Sequence, residues 1–124
     1  MTDQLRYFNS DQMAWQPHPA VRTIMIKVYE SRASQFGYDA VLVQVQPGNR
    51  IDWHYHAEAS ETIYIVQGEG QIFGAVDERQ QNSTPGLNLA PGVVVTVPVA
   101  LRHAVTNIGN EPLIIFAFHS PATL

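Results

Sequence analysis

Gly48-Asn49-Arg50-Ile51-Asp52-Trp53-His54-Tyr55-His56-Ala57-Glu58-Ala59-Ser60-Glu61-Thr62-Ile63-Tyr64-Ile65-Val66-Gln67-Gly68 is the stretch on which the reading of this chain turns. Residues two apart on a strand point to the same side, so His54 and His56 offer their imidazoles to one point. Glu61 lies an odd five positions beyond His56, and an unbroken strand would turn it to the opposite face. The spacing therefore predicts a bulge or turn within Ala57-Glu58-Ala59-Ser60 that resets the facing. Past that break Glu61, Ile63 and Ile65 share one face. Glu58 is the rival carboxylate, and the local pattern alone leaves the choice open.

A second stretch supplies a third imidazole from far along the chain. Gly92 is followed after five residues by Pro98, then Ala100, His103 and, three residues later, Asn107. Pro98 fixes the turn that delivers His103, with Val105 and Asn107 on the same side of its strand. Neutral imidazoles together with a carboxylate suit one divalent transition metal, namely iron, manganese, nickel, cobalt, copper or zinc. Calcium prefers all-oxygen cages and is disfavoured. Four protein donors would saturate tetrahedral zinc, whereas a six-coordinate ion keeps two positions open. The competing explanation is that these histidines are ordinary polar residues scattered on strands.

The two stretches, with the glycines at 48, 68 and 92, resemble the paired signatures of the cupin family across roughly the central half of the chain. The one departure within them is Ala100, where the family usually carries glycine. The resemblance implies a double-stranded β-helix, or jelly-roll barrel, and selects Glu61 over Glu58. The ligand set it implies is His54, His56, Glu61 and His103, with Glu61 doubling as a proton acceptor. It also implies a homodimer and a metal-dependent enzyme of dioxygenase, isomerase or decarboxylase type acting on a small organic substrate. A non-catalytic metal-dependent binding or sensor module is the alternative, since fold does not settle chemistry. Tyr64, Phe73, Trp53 and Phe116 are candidates for the cavity wall, against a plain core or interface role. His18 and His119 are the remaining histidines, each either touching the site or exposed or bonded structurally.

The rest of the chain reads as strand after strand, without a convincing helical period or an internal repeat. Ile24, Ile26 and Val28 alternate within 23–30, and Val41, Val43 and Val45 alternate within 38–46. Further strands are expected at 62–67, 71–76, 87–89, 93–97, 103–108 and 113–118, with Gly68-Glu69-Gly70 joining a hairpin. An antiparallel all-β barrel follows, since closing the sheet removes exposed edges. Residues 1–20 form a polar N-terminal arm ending in Pro17-His18-Pro19, and 21–124 form a single domain. The polar run 77–86 is read as a surface loop, with a lid as the alternative. Leu113-Ile114-Ile115-Phe116-Ala117-Phe118 is apolar on both faces, which predicts a second covering surface outside the barrel.

Composition sets the outer limits. The chain has 124 residues, 45% hydrophobic and 15% charged, with a net charge of −4. That suits one domain with a real core and provides no basic footprint for nucleic acid or an anionic membrane. With no cysteine, neither disulfides nor thiolate ligands are available. The opening Met1-Thr2-Asp3-Gln4-Leu5-Arg6 lacks a signal-peptide pattern, and a cytoplasmic location is expected. Asn82-Ser83-Thr84 matches a glycosylation acceptor and is read as a polar loop.

Overall fold

Alternating apolar residues in short runs, punctuated by Gly and Pro, build ten strands in the computed structural model, which describes residues 4–75 and 85–124. They are β1 (Gln16–Pro17), β2 (Ile24–Glu30), β3 (Asp39–Val45), β4 (Arg50–His54), β5 (Ser60–Gln67), β6 (Gly70–Ala75), β7 (Leu87–Leu89), β8 (Val94–Val97), β9 (Arg102–Asn107) and β10 (Leu113–Ser120). All pairings are antiparallel. One sheet runs β1-β2-β3-β10-β5-β8 and the other β4-β9-β6-β7. Strands distant in sequence thus lie side by side, as in a jelly roll. The run 76–84, including Asn82-Ser83-Thr84 and most of the expected polar loop, lies outside the described residues. Among the described residues no helix is long and apolar enough to cross a membrane.

The core follows the period of two. Ile24 and Ile26 of β2, Val41, Val43 and Val45 of β3, Ile63 and Ile65 of β5, and Leu113, Ile115 and Ala117 of β10 are all buried in one cluster. Ile72, Leu89 and Val105 meet them from the opposing sheet. Gly68 ends β5 where the backbone turns with φ +89°, and an added Cβ would lie 2.7 Å from the Pro112 carbonyl oxygen. Only glycine fits that position. Asn107 ties the next corner. Its amide donates to the carbonyls of Val45 and Glu111, and its own oxygen accepts from the Gly109 N–H.

One expectation changes in detail. The expected reset between His56 and Glu61 is the loop 55–59, but a further register shift occurs within β4, between Ile51 and His54 opposite β9. Ile51, packed on the core, and His54 are an odd three residues apart, so this extra residue is what brings both inward. His56 lies just beyond the end of β4. The outer face of β10 is covered in part by the chain's own residues. Ile114 is buried there, Phe116 is half-buried beside Tyr29, and Phe118 is exposed, stacked on Tyr38 at 4.8 Å.

The arm docks on the outside of the larger sheet. Arg6 pairs with the buried Glu30 at 2.7 Å, Phe8 meets Tyr29 edge-on, and Lys27 donates to the Ser10 carbonyl while lying over the Trp15 ring. An arm so placed covers β2 and leaves the outward side chains of β5 and β8 open: Tyr64, Val66 and Val94 are exposed.

Candidate metal centre

The end of β4, the loop after it, β5 and β9 bring four side chains to one end of the barrel interior. His54 and His103 are cross-strand partners, with ring centroids 4.1 Å apart. His56 lies 5.2 Å from His54 and 5.5 Å from His103, ring to ring. One nitrogen from each of the three rings lies within 4.8 Å of the others. Glu61 enters from β5, with Oε1 3.2 Å from His103 Nε2 and Oε2 3.9 Å from His56 Nε2. Glu58 is exposed on the loop.

The hydrogen bonds of these rings decide which nitrogens are free. His54 Nδ1–H donates to the Asp52 carbonyl and His103 Nδ1–H to the Leu101 carbonyl. In the neutral rings Nε2 is then a bare lone pair. The Nε2 atoms of His56 and His103 are buried without a hydrogen-bond partner, a costly condition for a polar atom unless something else satisfies it. A lone pair of His103 facing the anionic Glu61 at 3.2 Å is unfavourable in isolation. A cation between these donors removes the conflict, so the residues present fit a divalent ion.

Electrostatics point the same way. Burial pushes His54 and His56 down, His56 to about 4, so both are neutral near pH 7. Burial alone would raise Glu61, but the adjoining His103 and His119 rings outweigh it and hold the carboxyl well below its usual range. Glu61 is therefore anionic.

His119 is the functional neighbour that the sequence reading left undecided, and Asp39 is one it missed. His119 Nδ1 lies 2.6 Å from Asp39 Oδ1, and its Nε2 lies 2.5 Å from Glu61 Oε2, an ion pair rather than a well-directed hydrogen bond. The signal was parity. Continuing the inward series Leu113, Ile115, Ala117 by one step reaches His119, and extending Val45, Val43, Val41 backwards reaches Asp39. Burial alone would lower His119, but Asp39 and Glu61 together raise it to about 9.

A cavity of about 260 Å³ opens onto this cluster. Its walls include Val21, Ile24, Val41, Val43, Ile51 and Leu124, and its polar lining includes His18, His54, His56, Glu61 and His119. His18 Nδ1 accepts the backbone N–H groups of Ala20 and Val21. That fixes the tautomer, and Nε2–H is a donor. Tyr64, Phe73, Trp53 and Phe116 do not line this cavity. Tyr64 and Phe116 instead line a larger groove of about 920 Å³ on the outer face of the six-stranded sheet, away from the histidines.

Comparison with known proteins agrees with this fold. A family model described as Cupin matches residues 18–123. Germin-like protein 5-1 of Oryza sativa subsp. japonica is 36% identical over 81 residues, covering 65% of this chain and 35% of that protein. Oxalate decarboxylase OxdC of Bacillus subtilis (strain 168) is 30% identical over 92 residues, covering 71% of this chain and 23% of that protein. A structure of the Bacillus subtilis oxalate decarboxylase, described for its Mn(II) centres, superposes with a TM-score of 0.68 at 25% identity, covering 82% of this chain and 26% of that one. The cupin domain of Schizosaccharomyces pombe Cnp3 superposes with a TM-score of 0.75 at 14% identity over 94% of this chain and 74% of that one, which speaks to fold alone. The chain thus spans about a third or less of these two curated relatives.

Proposed function

The chain belongs to the cupin family, and from that premise we propose that it is a metal-dependent enzyme acting on a small organic acid or dicarbonyl compound. One divalent transition metal, of iron, manganese, nickel, cobalt, copper or zinc, is held by His54, His56, Glu61 and His103. The observation that carries this reading is the convergence of three ring nitrogens within 4.8 Å, with the Glu61 carboxylate 3.2 Å from one of them. A bound ion of this kind supplies Lewis acidity, polarising substrate oxygens that reach its open positions.

The residues around it define what enters. No lysine or arginine is among the residues lining the 260 Å³ cavity, and most of its wall is apolar. A small dianion would find there only the ion and the His119 ring, whose charge is already matched by Asp39 and Glu61. The wall instead suits an oxygen-bearing head group on an apolar body, with His18 Nε2–H available to a polar atom of the substrate. Similarity to oxalate decarboxylase supports a decarboxylase branch, and dioxygenase and isomerase branches are the others. Glu61 serves as ligand and, in the same reading, as proton acceptor. Substrate is reached as a cytoplasmic homodimer, paired through the outer face carrying Tyr64, Val66 and Val94.

Elemental analysis of protein purified without chelator names the ion. Carbon dioxide release and oxygen uptake are then followed across keto acids, diketones, catechols and flavonols. Turnover that vanishes on chelation and returns with the ion is the expected result. A compound that binds only the metal-loaded chain and is recovered unchanged makes it a binding module instead.

A further inference from the structure

His119 stands at the same level of the sheet as two carboxylates. The register of β10 sets it opposite Asp39 on β3 and opposite Glu61 on β5. Its ring reaches both, at 2.6 Å through Nδ1 and 2.5 Å through Nε2. A nitrogen lone pair facing a carboxylate oxygen that closely is repulsive, so both nitrogens carry protons: Nδ1–H donates to Asp39, and the imidazolium pairs with Glu61 through Nε2. A ring protonated on both nitrogens has no lone pair left for an ion.

The rival arrangement makes His119 a ligand, because its ring, His56 and Glu61 also place donor atoms within 4.8 Å of one another. Distances argue against it. Adjacent ligands on one ion at bond lengths of ~2.1 Å and right angles are about 3 Å apart. His103 Nε2 and Glu61 Oε1, at 3.2 Å, meet that spacing, and His119 Nε2 with Glu61 Oε2 does not. Asp39 is itself fixed: it is fully buried, and its Oδ2 accepts the N–H groups of Thr123 and Leu124 and the Thr123 hydroxyl.

We propose that His119, braced by Asp39, is a positioning residue that pins Oε2 of Glu61 and presents Oε1 alone to the metal ion. This rests on the metal-centre reading above. Without His119, Glu61 is free to rotate, to bind through both oxygens or to leave the ion, so both affinity and coordination change. Partners that orient a metal ligand in this way typically contribute ~10–100-fold in affinity.

The test titrates Mn(II) and Co(II) into metal-free wild type, His119→Leu and His119→Gln, with circular dichroism as the check on folding. H119L weakens Mn(II) binding ~10–100-fold and alters the Mn(II) electron paramagnetic resonance spectrum. H119Q, whose amide still donates to Glu61, recovers most of the affinity. If H119L does not fold, His119→Asn, too short to reach Glu61, makes the same comparison. Wild type that takes up neither ion overturns the metal reading and this inference with it. Wild type and H119L with equal affinity and identical spectra overturn this inference alone. So does a spin-echo count on the Cu(II)-loaded protein that falls by one histidine in H119Q, which would make His119 a ligand.

Discussion

Ala100 stands in the turn that delivers His103 and has φ +66°. Its N–H donates to the His56 carbonyl, and Leu101 N–H donates back to Pro98, so the turn is locked in the left-handed region. The family's usual glycine would sit there without a Cβ clash. Ala100→Gly should therefore stabilise the chain by about 0.5–1 kcal/mol, the left-handed penalty less the extra entropy of an unfolded glycine. Chemical denaturation with an unchanged m-value is the measurement, and a loss of stability would contradict the strain. At the ligands the effect is all-or-none. His54→Ala or His103→Ala should leave no retained ion by elemental analysis, with the fold intact by circular dichroism. Because burial holds His54 and His56 low, protons compete for their lone pairs only in acid. The ion is expected to stay bound at pH 6.5 and to be released by pH ~4.

Among the elements, β5 does two jobs with one alternation. Ile63 and Ile65 fill the core while Glu61, on the same face, reaches the site. Ile65 is wholly buried, and Ile65→Ala should cost ~2–5 kcal/mol in urea denaturation, since the surrounding strands cannot close the space. The arm is held differently, by the Arg6 guanidinium on Glu30, which with Ser34 keeps the Glu30 carboxyl below its ordinary 4.5 despite burial. A carboxyl lowered in the folded state contributes stability above pH 4.5 that is lost as pH falls through the folded value. Trp15 fluorescence should thus report arm release in acid, and in Arg6→Ala the change should already be present at neutral pH. A pH-independent Trp15 signal would separate the arm from this ion pair.

For the whole molecule, the open outer face of β5 and β8 calls for a covering surface, since Tyr64, Val66 and Val94 lie exposed there. Sedimentation at micromolar concentration is expected to give a dimer, and Val94→Glu a monomer with the same metal content. A wild-type monomer at that concentration would refute the pairing. The all-β class and the inward series of β2, β3, β5 and β10 were legible in the residues because a period of two directly encodes which side chains meet the core. His54, His56, Glu61 and His103 were legible as a set because their spacings match a recurrent pattern. The extra residue in β4 was hidden, since the sequence around Ile51 to His54 marks no irregularity and only pairing with β9 reveals the slip. Asp39 and His119 carried the right parity, yet their meeting is a matter of strand order. They lie 80 residues apart and become neighbours only because β10 inserts between β3 and β5. Alternation along a strand is written locally, whereas which strands lie beside one another is settled by long-range packing, and the brace behind Glu61 depends on that second fact.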